Sequence, residues 1–183
     1  MELLEVVDEF GNPTWRVATR EECLAKGLRK RVTWVVFVCK NRGLLFQKRS
    51  QGKNIFPWVW DFTSTGHVDP NEMPLNTAQR ETYEEVGIKL HEQNFSFQEI
   101  FVQKMILPNG NLNNDLGYLY FVDWTNREDS FTIQPEEVVS LQWFSLSELQ
   151  EKFSQMKKPI DFVPRWNELC LSVLKLAQTF LQQ

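Results

Sequence analysis

A layered α/β (α+β) fold around a mixed β-sheet is predicted for this chain by three observations. Strand-like runs and helical patterns are interspersed along the chain, the signature of helices packed on a sheet. Asn41-Arg42-Gly43 and Pro108-Asn109-Gly110 each stand between apolar runs and read as hairpin turns. The 183 residues contain no internal repeat, low-complexity tract or Pro/Gly/Ser linker, and this length suits one domain, 1–183, with a full core.

The elements follow in order. LLEVVDEFGNPTWRVA reads as two short strands around a Gly-Asn-Pro turn. In TREECLAKG, Thr19 and Glu22 fit a capping box and Gly27 a helix C-cap, so residues 1–29 form an N-terminal unit of strands and a short helix. RVTWVVFVCKNRGLLFQKR is a strand pair. FPWVWDFTSTG is extended, with Trp58 and Trp60 on one face of a strand, and a helix follows over Pro74–Val86. Proline is tolerated in its first turn and Gly87 stops it. A second strand pair surrounds Pro108-Asn109-Gly110. EEVVSLQWF is a last strand, and SLSELQEKF opens a helix on a serine with acids in its first turn. Over 164–183, Trp166, Leu169, Val173, Leu176 and Phe180 recur at helical spacing, predicting a C-terminal helix packed on the body.

Bulk properties narrow the partners. The net charge is −4, so no global field attracts nucleic acid or an anionic membrane, and an anionic substrate needs a local basic clamp. Three widely spaced cysteines without a C-x-x-C pair suit a reducing, cytoplasmic setting. No apolar run is long enough to span a bilayer, and the acidic N-terminus does not resemble a secretory signal. A homodimer is compatible with all of this.

The Pro74–Val86 helix poses the chemical question. Leu75, Ala78, Thr82 and Val86 make a core stripe, and Glu81, Glu84 and Glu85 crowd an arc beside it. Three carboxylates at i, i+3 and i+4 repel by about 0.2–0.5 kcal/mol per pair. Either the face is simply solvated, or the acids are hard oxygen ligands for Mg²⁺ or Mn²⁺. The stretch GHVDPNEMPLNTAQRETYEEVGI (66–88) resembles the Nudix box: a glycine, five residues, a glutamate, seven residues, then R-E-U-x-E-E-x-G-U, where U is aliphatic. Gly66, Glu72, Arg80, Glu81, Glu84, Glu85, Gly87 and Ile88 are all in place, and Thr82 departs at one packing position.

The resemblance implies a Nudix-type α/β/α sandwich and hydrolysis of a diphosphate linked to some group X. It implies metal binding by Glu84, Glu85 and Glu81, with the backbone at Gly66 completing the site. Glu81 would alternatively help to activate water, and Glu72 and Arg80 would brace the loop. QKRSQGKNIFPWVWDFTSTGHVDPNE is similar to the branch that includes isopentenyl diphosphate isomerase, which implies that Arg49 and Lys53 grip the diphosphate. In that isomerase a catalytic cysteine immediately precedes the box Gly-His, several histidines bind metal, and a later strand carries two glutamates. Here Thr65 precedes Gly66, the only histidines are His67 and His91, and the strand positions read Asn113 and Asp115. The expectation is therefore a metal-dependent diphosphohydrolase acting on a small-molecule diphosphate. An isomerase-like enzyme and an inactive binding module are the alternatives. Glu137, Asp115 and Glu136 are candidate general bases beside Glu81, because a carboxylate engaged by metal is a poor proton acceptor.

Overall fold

The computed structural model describes residues 1–154, 161–164 and 167–182. Its elements are β1 (Leu3–Val7), β2 (Pro13–Thr19), α1 (Arg20–Lys26), β3 (Lys30–Cys39), β4 (Gly43–Arg49), β5 (Trp60–Phe62), β6 (Ser64–His67), α2 (Pro74–Val86), β7 (Ser96–Ile106), β8 (Leu112–Asp123), β9 (Val138–Phe144), α3 (Leu146–Ser154) and α4 (Asn167–Phe180). All strands join one mixed sheet with helices on both faces. Strand β3 is its centre, pairing antiparallel with β1, β4 and β6 and parallel with β8.

β3 is buried along nearly its whole length because both of its faces are covered. Val32, Trp34, Val36 and Val38 face Leu119, Phe121 and the helices α3 and α4. Val35, Phe37 and Cys39 face α2 through Ala78 and Val86. The predicted sandwich is thus present, and the C-terminal helix buries Leu169, Val173, Leu174 and Ala177. Trp166, assigned to that helix from the sequence, lies outside the described residues. Among the described residues, the three cysteines are free and buried, and no helix is long and apolar enough to cross a membrane.

The helix-end signals of α1 act as expected in part. Thr19 Oγ1 accepts from Glu22 N at 3.1 Å, and Gly27 ends α1 at φ 63°. Glu22 does not close a reciprocal box, since its carboxylate takes Arg16 and Lys26 instead. Ser145 and Glu148 do close one at the start of α3.

β3 and β4 pair only at 37–39 with 43–45 and then diverge. The β5–β6 segment fills the gap, with β5 on β4 and β6 on β3. At the split, buried Thr63 replaces the missing ladder: its hydroxyl accepts from Phe37 N at 2.9 Å and donates to Leu45 O at 2.6 Å. This divergence delivers Thr65, Gly66 and His67 to the mouth of a cleft. Trp58 is not part of the strand. It precedes β5 at φ 60°, so it and Trp60 do not share a strand face.

Candidate active site

A cleft of about 380 Å³ opens where β4, β6 and β8 meet the acidic side of α2. Gly66, Glu81, Glu84, Glu85, Arg49, Lys53, Asp115 and Glu137 all line it, so of the candidate metal-binding, phosphate-binding and general-base residues only Glu136 lies outside it. Glu136 is exposed and contributes its carbonyl to Ser50 Oγ at 2.5 Å.

The box loop is braced as its pattern implies. Glu72 accepts from Thr77 Oγ1 at 2.6 Å and from Arg80 at 3.2 Å, which secures a helix whose N-cap residue, Met73, offers no side-chain cap. Arg80 also reaches Glu81 at 2.6 Å and Glu84 at 3.3 Å, offsetting the repulsion among the acids. Gly66 leaves room for Glu81: a Cβ there would stand 2.0 Å from the Glu81 carboxyl carbon, so a larger residue would displace that carboxylate. Thr82 is fully buried and its hydroxyl has no hydrogen-bond partner among the described residues, a cost the usual aliphatic side chain would avoid.

The three acids differ in setting. Glu84 is exposed. Glu81 is 16% exposed, and burial pushes its pKa up to about 7 against the pull of Arg80. Glu85 is buried beneath β4 and β6, where Oε2 accepts from Gln47 Nε2 at 3.0 Å and Thr65 N at 2.9 Å. Burial, reinforced by the Glu81 charge, pushes its pKa up to about 8.

Among the described residues, no three Asp, Glu, His or Cys side chains converge into a ready-made cation cage. The donor set nevertheless fits a hard divalent ion. It consists of carboxylates with a backbone carbonyl nearby, and its deepest carboxylate is short of positive charge. His67 also lines the cleft, where its Nδ1 lies 2.7 Å from Glu2 Oε1.

The cations are apportioned differently from one another. Arg49 donates to the carbonyls of Ile55 and Phe56, both at 3.0 Å, and pairs with buried Asp61 at 3.3 Å. It therefore staples the 50–59 loop while lining the cleft. Lys53 pairs with Glu137. Burial lowers the Lys53 pKa, and the Arg49 and Arg20 charges add to the effect. Arg20, which sequence reasoning missed, lines the same cleft and is held by Glu2 at 3.2 Å. Its only sequence signal was a position at the first turn of α1. Asp115 is buried against Lys30 at 2.6 Å, a contact made by parallel pairing of β3 and β8 that nothing local announces.

Comparison with known proteins agrees with this picture. The NUDIX domain profile matches residues 29–165. The chain is 31% identical over 158 residues to Nudix hydrolase 3 of Arabidopsis thaliana, covering 84% of this chain but only 20% of that protein. It is also 31% identical over 173 residues to the isopentenyl-diphosphate Delta-isomerase of Pectobacterium atrosepticum, covering 92% of this chain and 90% of that one. The crystal structure of DR0079 from Deinococcus radiodurans superposes with a TM-score of 0.70 at 18% identity, over 93% of this chain and 98% of that one, which shows the shared fold. With the profile spanning most of the chain and two curated relatives above 30% identity along most of its length, the protein belongs to the Nudix family.

Proposed function

We propose that the protein is a Nudix hydrolase that cleaves a diphosphate bond with the help of Mg²⁺ or Mn²⁺. The observation that carries this reading is the buried Glu85 beside Glu81, at one end of a cleft that Lys53, Arg49 and Arg20 also line. Glu81, Glu84, Glu85 and the Gly66 carbonyl would hold the ion. A divalent cation supplies charge that neutralises phosphate oxygens and acidifies water.

The chain's own groups do the rest. Lys53 and Arg20 bind phosphate oxygens, each exchanging an internal carboxylate, Glu137 or Glu2, for the substrate. Arg49 keeps the 50–59 loop over the site. Once Lys53 turns to a phosphate, Glu137 is released to take the proton of the attacking water. Asp115 is the weaker candidate for that role, because Lys30 and Asn113 already occupy its oxygens.

The isomerase reading has one specific observation in its favour, the near full-length likeness to the Pectobacterium enzyme. Against it, Thr65 stands where the resemblance expects the catalytic cysteine, and His67 is engaged by Glu2. A phosphate-release screen over nucleoside diphosphate derivatives, dinucleotides and prenyl diphosphates, with and without Mg²⁺, tests the proposal. Release without dependence on a divalent ion, or no release from any member, refutes it.

A further inference from the structure

Strand β7 ends one side of the sheet. It runs 11 residues, roughly 35 Å, and among the described residues β8 is its only strand partner. Its two faces differ. On one, Phe101 packs on the core beneath α4, and Gln103 and Met105 line the cleft. On the other, Phe97, Ile100, Val102 and Ile106 are 52%, 44%, 50% and 77% exposed. They are uncovered because Ala78 and Val86 of α2 pack over β3, two strands away. The turn before β2 rests beside this row: a Cβ on Gly11 would stand 2.6 Å from Cδ2 of Leu116, the residue opposite Val102. That turn adds Phe10, 79% exposed, to the patch.

The backbone of this edge is open as well. Leu107 N donates to Asn111 O at 2.8 Å. Bonded and non-bonded pairs alternate along an antiparallel ladder. Counting back from Leu107, the odd-numbered residues therefore turn their N–H and C=O groups to β8. Those of Ile100, Val102, Lys104 and Ile106 point outwards. Exposed edges are normally blunted by proline, charge or a bulge. Edge strand β2 is blunted in all three ways: it opens on Pro13, carries Arg16, and slips register against β1 where Trp15 stands at φ 61°. β7 has its bulge only at the start, between Phe97 and Glu99, and from Ile100 onwards its one charge is Lys104.

The patch has the size of a homodimer contact. Fully exposed side chains of this kind offer roughly 150–200 Å² each, so the five present about 450–600 Å². Homodimer interfaces are about 65% apolar, which scales the patch to about 700–900 Å² per copy, against roughly 800 Å² in a standard interface. The edge is also complementary to itself. A two-fold axis normal to the sheet at Val102 keeps like faces on the same side and joins outward-pointing backbone groups to their equivalents. It sets Val102 against Val102 and Ile100 against the apolar stem of Lys104. Glu99 then stands opposite Met105, so no like charges meet.

We propose that β7 is the interface of a two-fold homodimer, in which the sheets of two copies join antiparallel, edge to edge. Each copy thereby braces in its partner the strand that holds Gln103 and Met105 at the cleft. Nothing in this depends on which bond the cleft cleaves.

Sedimentation equilibrium on the wild-type protein, from low to several hundred micromolar, should show a reversible monomer–dimer equilibrium. Ile100→Lys and Val102→Lys each put a charge on a side chain that is already exposed, and each should raise the dissociation constant at least tenfold with cooperative melting retained. Val17→Lys, at a position 48% exposed on β2, should leave it unchanged. Amide hydrogen exchange separates edge pairing from stacking of the same patch: exchange at Ile100, Val102, Lys104 and Ile106 should slow as concentration rises. A wild type that stays monomeric overturns the proposal. So does a dimer that survives both folded β7 variants or is weakened equally by Val17→Lys, an open-ended assembly larger than a dimer, or a dimer in which those four amides exchange as fast as in the monomer.

Discussion

Replacing Glu85 by glutamine exchanges one carboxylate oxygen for an NH2 group and should have opposite effects on stability and activity. Glu85 is 3% exposed, and its folded pKa is about 8 against an ordinary 4.5, chiefly through burial. Between those values the native protein holds a proton that the unfolded chain has released. The native state then binds more protons, so stability falls as pH rises across that window. At ~1.4 kcal/mol per pH unit the whole window amounts to about 5 kcal/mol. Water entering the cleft reduces this to about 2 kcal/mol. Glutamine stays neutral and keeps acceptor contact with Gln47 and Thr65 N, so it escapes the loss. For a chain of this size ~1 kcal/mol moves Tm by about 2–4 °C. In chelator, Glu85→Gln should therefore melt within a degree or two of wild type at pH 5 and about 4–8 °C higher at pH 8. In Mg²⁺, with a substrate the wild type turns over, kcat/KM should drop at least a hundredfold, because a ligand charge is gone. Differential scanning fluorimetry at the two pH values and a phosphate-release assay decide it. A melting difference that is the same at both pH values, or full activity in Mg²⁺, refutes the reasoning.

Other substitutions separate the remaining roles. Glu137→Gln should lower kcat by about 10²–10⁴-fold and remove the acidic limb of its pH profile with metal affinity nearly intact; equal damage from Asp115→Asn, with the fold preserved, would move the base to β8. Lys53→Ala should raise KM or lower kcat/KM by roughly ten- to a hundredfold, read in steady-state kinetics. Arg49→Ala should do the same and also lower Tm by roughly 5–10 °C, because it breaks a mostly buried pair with Asp61 as well as the loop staple; an unchanged melt would remove the stapling role. Purified wild type should not interconvert isopentenyl and dimethylallyl diphosphate, and Thr65→Cys should not restore the reaction; isomerisation seen by NMR would overturn the hydrolase reading.

What could be read from the sequence was what short-range geometry encodes. Gly66 to Ile88 is one turn and one helix, so the identities that brace it, Glu72 on Arg80 and Gly87 at the C-cap, appear at fixed spacing. The hairpin at Gly43 and the cap at Thr19 are local in the same sense. The burial of Glu85 was not legible, because it depends on β4 and β6 closing over one flank of α2. Nor was the second duty of Arg49, whose carbonyl partners become acceptors only when the 50–59 loop folds back, with Phe56 at φ 50° and Trp58 at φ 60°. The inward turn of Lys30 was not legible either. Only the parallel register with β8, 85 residues on, turns it inward.

The Lys53–Glu137 pair has a bearing on how the cleft empties. A carboxylate tethered beside the cation is a resident rival to every anion that enters. In the proposed reaction a diphosphate, anchored at several points, would displace it readily. A monophosphate produced by that cleavage would have fewer anchors, so the tethered rival would regain Lys53 and help to expel the product. The same competition sets a threshold against inorganic phosphate, which must displace Glu137 without help from the rest of a substrate. On that reading the cleft would discriminate between what it should hold and what it has finished with, and shortening the rival to Asp should make the protein more prone to inhibition by phosphate.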